Sequence, residues 1–244
     1  MAFFGEKLIY SGRSSFARYE IKDMIYNGRP ARVLFGGDHS SQSGVALDDN
    51  PELLFDYNQR FLEIAESIRP QSVLIIGGGA FTLPRVLIER SSTMTIDVVE
   101  LDPLLPQLAT DYFGLKPNDR LKIYTMDGLD FLRQSKKKYD LIILDAFFGY
   151  EIPEQLLAPE AVALYRRHIS DEGYMAINFI ASTTGRKTKS AESLWQAFEP
   201  VFHEVAIYPA DANYPMWAEQ NLIFVASAGL IGGLDYVQSV RVSL

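Results

Sequence analysis

Four positions in this chain carry residue types suited to a ligand site, and each follows an apolar, β-branched run. Residues 72–79, SVLIIGGG, end in Gly77, Gly78 and Gly79. Residues 95–99 run into Glu100, Leu101 and Asp102. Residues 121–125 run into Met126, Asp127 and Gly128, and residues 141–144 end at Asp145. Successive strands thus deliver glycines or a carboxylate at their C-terminal ends. In an open parallel sheet, that edge is where ligands bind.

The glycine triplet lets a ligand approach the backbone and turns the chain into a helix whose N-terminus carries partial positive charge. Taken alone it is also compatible with a plain strand-to-helix turn. Glu100 follows about twenty residues later, the spacing of an acid that accepts from a ribose diol in dinucleotide sites. Such an acid serves nicotinamide and S-adenosylmethionine enzymes equally, so it selects an adenosine ligand without choosing between them. Asp102 precedes Pro103 and suits a helix cap. Asp127-Gly128 discriminates further, since a carboxylate there can accept from an adenine amine; it also suits the cap of a helix from Leu129. Asp145 lies where a reacting group would sit and can act as a general base or hold a cationic amine. The competing reading is a loop carboxylate bonded to nearby backbone amides.

Other chemistries lack residues. The chain has no cysteine, which removes disulfides, thiolate metal sites and a cysteine nucleophile. His39, His168 and His203 stand in no ligand-spaced motif, so no metal is expected. There is no nucleophile elbow and no phosphate-binding P-loop sequence.

The elements that must position these residues follow from the pattern. The first fifty residues alternate like strands, and Asn27-Gly28 signals a hairpin between residues 19–26 and 31–35. Asp48-Asp49-Asn50-Pro51 resembles a helix start with Pro51 at its first position. Leu53, Leu54, Tyr57, Phe61, Ile64, Ala65 and Ile68 then recur at helical spacing until Arg69-Pro70. Strands and helices alternate beyond residue 72, with a helix from about 81, further helices over about 103–112, 129–134, 159–168 and 190–198, and a fifth strand over 173–179. The last apolar runs, 204–208 and 222–226, leave no room for a crossover helix and should pair antiparallel. We expect an α/β fold: residues 1–50 as an N-terminal antiparallel β-hairpin unit, and residues 51–230 as a Rossmann-like, mostly parallel sheet ending in an antiparallel hairpin. Residues 231–244 form a tail of undecided structure.

Of 244 residues, 48% are hydrophobic and 22% charged, and the formal net charge is −8. That balance supports a sizeable core and argues against a nucleic-acid binder, which needs a basic face. No run approaches the roughly 18 apolar residues of a membrane helix, and the N-terminus lacks a basic, signal-like region. These features point to a soluble cytoplasmic protein with no membrane or nucleic-acid partner.

With these strand ends in place, the sequence from about Tyr19 to Ser227 resembles the spermidine synthase family, the polyamine aminopropyltransferases, whose sheet is of the class I S-adenosylmethionine-dependent type. The resemblance rests on Gln42 followed by Asp48-Asp49, I-G-G-G at 76–79, V-E-x-D at 99–102, x-D-G-x-x-F at 126–131, Asp145, and Tyr214-Pro215 with Gln220 and Ile223-Phe224. It implies that Glu100 binds the ribose and Asp127 with Gly128 the adenine, and that Asp145 occupies the proton-accepting position. It also brings Gln42, Gly77, Gly78, Gly79 and Asp102 to the cofactor side, and Tyr214 and Phe148 to the substrate side. The implied co-substrate is S-adenosylmethionine or its decarboxylated form, with no metal; the implied partner is a small amine, and a homodimer is one arrangement left open.

The chain departs from the family pattern twice. Ala80 and Phe81 replace the aspartate and glycine of G-G-G-D-G, and Phe148 replaces the second aspartate of D-S-S-D. Both changes remove negative charge from where a diamine and an aminopropyl group would lie. Phe81, Phe147, Phe148 and Tyr150 should make the pocket more aromatic. The expected activity is transfer of an aminopropyl or methyl group to a small acceptor. The alternative is an adenosine-binding protein that has lost catalysis and serves a regulatory or assembly role.

Overall fold

The computed structural model describes residues 5–37, 40–50, 53–147, 152–182, 188–215 and 217–229. Four strands, β1 (Lys7–Arg13), β2 (Arg18–Tyr26), β3 (Arg29–Gly36) and β4 (Ser40–Ala46), form an antiparallel sheet in sequential order. The N-terminal unit is therefore larger than the expected hairpin. Asn27 and Gly28 close its β2–β3 turn with φ of 47° and 78°, the two positive values that a two-residue type I′ hairpin needs.

Helix α1 runs over Asp56–Ile68, later than the expected start at Pro51, which lies outside the described residues. Leu53, Leu54 and Phe55 are all buried. They precede the helix, whose N-cap Phe55 has extended backbone (φ −106°, ψ 131°). The helix ends at Arg69, whose left-handed backbone (φ 50°) returns its N–H to the Ala65 carbonyl.

The second sheet contains β5 (Ser72–Ile76), β6 (Thr95–Glu100), β7 (Leu121–Thr125), β8 (Tyr139–Leu144), β9 (Ile169–Ala181), β10 (Glu204–Pro209) and β11 (Gln220–Ser227). Its order is β10-β11-β9-β8-β5-β6-β7. The five strands from β9 to β7 are parallel, while β11 runs antiparallel to both of its neighbours, β9 and β10, as the missing crossover required. Strand β9 begins four residues before the expected fifth strand, because buried Ile169 pairs with Tyr139 ahead of a register shift.

Alternation along β5 shows why its run is continuously apolar. Val73 and Ile75 face one core with the N-terminal sheet, α1, α2 (Thr82–Arg90) and α3 (Leu104–Tyr112). Leu74 and Ile76 face the other, with α4 (Gly128–Gln134), α5 (Pro159–His168) and α6 (Lys189–Phe198). A parallel sheet covered on both sides buries both faces of its strands. Tyr19, Ile21, Ala31, Val33 and Leu34 of the small sheet join the first core, so the two sheets share one apolar interior. Among the described residues no helix is long and apolar enough to cross a membrane.

The chain passes from β5 outward to β6 and β7, then returns to β8 on the other side of β5. The strand order reverses between β5 and β8, and the crevice outside the C-terminal ends at such a switch point is where open α/β sheets bind ligands. Gly77 follows one of these strands and Asp145 the other.

Candidate active site

The glycine loop is shaped by close backbone approach. Gly77 has φ +97°, and a Cβ there would lie 2.2 Å from the Asp145 carbonyl oxygen. Its N–H donates to the Val99 carbonyl at 2.9 Å. Any side chain at this position would drive β5 and β8 apart at the switch point. Gly79 also has positive φ, +52°, with Ser43 of β4 as its nearest neighbour.

Phe81 departs from the expectation of an aromatic pocket wall. It caps α2 in the left-handed region (φ 57°) and is completely buried. Its ring packs so closely against Gly78 that a Cβ there would meet it at 2.6 Å. Left-handed backbone turns this side chain into the core beside Ala80, which is 2% exposed. Phe148 and Tyr150 lie outside the described residues; Phe147 is half-buried.

Glu100, the last residue of β6, is buried and sits beside the loop. Oε2 accepts the Gly78 N–H at 2.7 Å and Oε1 accepts the Asp102 N–H at 2.9 Å. Burial raises its carboxyl above the usual range, with the N–H groups of Asp102, Gly78 and Gly79 opposing that effect. A carboxylate offers about four lone-pair sites, so acceptor capacity remains for a diol. Asp102 itself is enclosed in protein contacts: Oδ2 accepts from Ser14 and Tyr19, and Oδ1 accepts the Leu104 N–H. The geometry gives it the capping role at α3, plus a clasp on the small sheet.

Asp127 caps α4. Its Oδ1 accepts both the Leu129 N–H (2.9 Å) and the Asp130 N–H (3.0 Å), which leaves Oδ2 for a ligand amine. Gly128 keeps this helix end tight on β5, since a Cβ would lie 2.6 Å from Ile76. Glu100 and Asp127 therefore stand at the ends of neighbouring strands, with polar capacity suited to an adenosine.

Among the described residues, the Asp145 side chain is held by a side-chain amide and not by a backbone N–H. Its Oδ1 accepts from Asn178 Nδ2 at 2.9 Å, and Asn178 Oδ1 accepts in turn from Asn221 Nδ2 at 2.9 Å. Its carboxyl is pushed up to about 6, chiefly by burial, with the Asn178 hydrogen bond opposing the rise and the Glu100 charge adding to it. Tyr57 of α1 completes the group. Its hydroxyl donates to the Gln42 carbonyl at 2.8 Å, and burial, followed by the charge of Asp145, holds its pKa well above normal.

Helical periodicity places Tyr57 on the core face of α1, and motif spacing does not single out Asn178. A signal for the latter was present: one amide inside the apolar run MAINFIA, where a buried polar group demands a partner. Gln42 reaches this region through its backbone; its side chain is exposed and lies over Gly36, at a bulge between β3 and β4. Tyr214 is 46% exposed, on the loop joining β10 to β11 at this same edge.

The profile of the spermine/spermidine synthase domain matches residues 56–228. The chain belongs to this family. Among curated relatives, the polyamine aminopropyltransferase of Vibrio vulnificus is 32% identical over 118 residues, covering 47% of this chain and 40% of the relative. The human eEF1A lysine and N-terminal methyltransferase is 28% identical over 168 residues, covering 64% of this chain and 22% of that protein. The chain thus spans well under half the length of either relative. A solved spermidine synthase in complex with the transition-state analogue AdoDATO superimposes with a TM-score of 0.72 at 20% identity, covering 91% of this chain and 74% of that one. Family and fold are therefore those expected from the strand-end motifs.

Proposed function

We propose that this family member binds S-adenosylmethionine or its decarboxylated form and transfers an alkyl group from it to a small amine acceptor. One observation carries the reading: Asp145, with its carboxyl raised to about 6, lies at the switch point against the glycine loop. A base whose pKa sits near the working pH combines a useful ionised fraction with real proton affinity. The polyamine aminopropyltransferase and methyltransferase names among the relatives support the same class of transfer.

A sulfonium donor supplies an activated carbon and departs as a neutral thioether. The chain's own residues then have two tasks. Glu100 and Asp127 hold the adenosine so that the sulfur-bound carbon faces the acceptor, and the alignment lowers the entropic part of the barrier. Asp145 takes the proton that the acceptor nitrogen loses as its lone pair forms the new carbon–nitrogen bond. Residues 51–230 serve as the binding domain in this reading, and residues 1–50 brace it.

A second reading within this class is methyl transfer to a less cationic acceptor. It is favoured by Ala80, which is enclosed in the core and puts no carboxylate beside the glycine loop for an ammonium. A panel of methyl and aminopropyl donors against amine acceptors tests both, with methylthioadenosine and NAD as binding probes. The proposal expects methylthioadenosine to stabilise the fold and NAD not to; the reverse result overturns it.

A further inference from the structure

We propose that Asn221 is a positioning residue for Asp145, acting through Asn178. The inference rests on the reading of Asp145 as proton acceptor and adds what prepares it for that task. Three polar side chains form one chain across neighbouring strands: Asp145 after β8, Asn178 in β9 and Asn221 in β11. Asn221 pairs with Ile180, and Ile223 with Asn178. The two asparagines are therefore diagonal neighbours on one face of the sheet, within reach of each other's side chains.

An amide carries donors at one end and acceptor lone pairs at the other, so its orientation decides what it offers a carboxylate. Asn178 is 2% exposed, and bulk water has little access to compensate a wrong orientation. Turned over, it would set its oxygen against the Asp145 carboxylate and its NH2 against the NH2 of Asn221. Two attractive contacts would become repulsive together. Asn221 thus selects the orientation that offers an N–H to Oδ1 of Asp145. That contact favours ionisation at a site where burial opposes it, and it occupies Oδ1, leaving Oδ2 to face the acceptor. Among the described residues, Glu100 of β6 and Tyr57 of α1 are the ionisable groups that act on Asp145 from other elements, and both remain in the variants below.

The test follows the Asp145 carboxyl by carbon-13 NMR in the full chain, with the signal assigned by its loss in Asp145→Asn. In the unsubstituted protein, the side-chain NH2 resonances of Asn178 should move with the same midpoint as Asp145; resonances that ignore that titration overturn the proposal without any variant. Asn221→Leu removes the lock without adding charge and should raise the Asp145 midpoint. Asn221→Asp presents an acceptor to Asn178, turns the amide over, and should raise the midpoint by about one pH unit or more, with a share that persists in high salt. An unmoved midpoint in whichever variant folds overturns the proposal. Turnover measured in parallel separates the two claims: a shifted midpoint with full activity in Asp145→Asn refutes the proton-acceptor role and leaves the positioning intact.

Discussion

The substitution Asp145→Asn should stabilise this protein at high pH while abolishing the chemistry proposed for it. Burial lifts the Asp145 carboxyl from an ordinary 3.8 to about 6 in the folded chain. The folded state therefore holds this proton more tightly than the unfolded state. Below about pH 4 the group is protonated in both states and has no effect. As pH rises through 4 to 6, the unfolded chain releases its proton first, and stability falls by about 1.4 kcal/mol per unit of pKa difference, or about 3 kcal/mol in full above pH 7. Asparagine carries no such charge and keeps an oxygen that can accept from Asn178. The variant should match the parent near pH 4 and melt higher at pH 8, by on the order of 5–10 °C for a chain of this size. Thermal unfolding of both proteins across that range gives the difference curve, in which other titrating groups cancel. Turnover at pH 8 should meanwhile fall about 100-fold or more, the usual worth of a general base, with methylthioadenosine affinity retained. A variant that melts lower than the parent at pH 8 would falsify the claim that burial destabilises this carboxylate.

Other outcomes follow from neighbouring residues. Glu100→Ala should weaken methylthioadenosine binding by roughly 1.5–3 kcal/mol, the range for hydrogen bonds to a charged group; calorimetry showing unchanged affinity would remove Glu100 from the site. Gly77→Ala should cost at least about 2 kcal/mol in denaturant unfolding, because its φ is +97° and the new Cβ meets backbone. The unsubstituted protein should be a poor maker of spermidine from putrescine, and efficient formation by purified protein would show that other acids replace the missing pair. Ala80→Asp should cost several kcal/mol at pH 8 by burying a carboxylate in the core; an unchanged melting temperature would place the new side chain in the crevice.

What could be read from the sequence was what depends on residue type at strand ends. The glycines, Glu100, Asp127 and Asp145 each follow an apolar run, and the runs become the strands that place them together. The terminal hairpin was legible from loop length, and the α4 cap from Asp-Gly before an apolar pair. Features that depend on backbone handedness or on distant partners were not legible. Nothing in the types of Ala80 and Phe81 says that Phe81 adopts φ 57° and turns its ring under Gly78. Helical periodicity extends α1 backward through Leu53 and Leu54, whereas the chain enters the helix only after extended backbone at Phe55. Tyr57 reads as one more core residue until β4 brings the Gln42 carbonyl to its hydroxyl. The Asn178–Asn221 pair exists only through the register of β9 and β11.

The N-terminal sheet holds several of the parts that form the crevice. Tyr19 and Ser14 bond Asp102, whose own N–H fixes Oε1 of Glu100. The Gly44 carbonyl accepts from Thr82, the first residue of α2, and so anchors the helix that follows the glycine loop. Ser43 is the nearest neighbour to the open side of Gly79, and the Gln42 carbonyl sets the Tyr57 hydroxyl near Asp145. A site that buries Glu100 and partly buries Asp145 raises the pKa of each, and each therefore opposes folding above its unfolded pKa. The apolar interior shared by the two sheets offsets that cost, since burial of whole side chains such as Ile21, Val33 and Leu34 stabilises by about 1.5–3 kcal/mol apiece. Removing the first fifty residues should therefore do more than shorten the protein. It would expose the core face of α1 and α2 and release Tyr57 and Asp102 from their partners, leaving the strand-end acids in place but without the support that orients them.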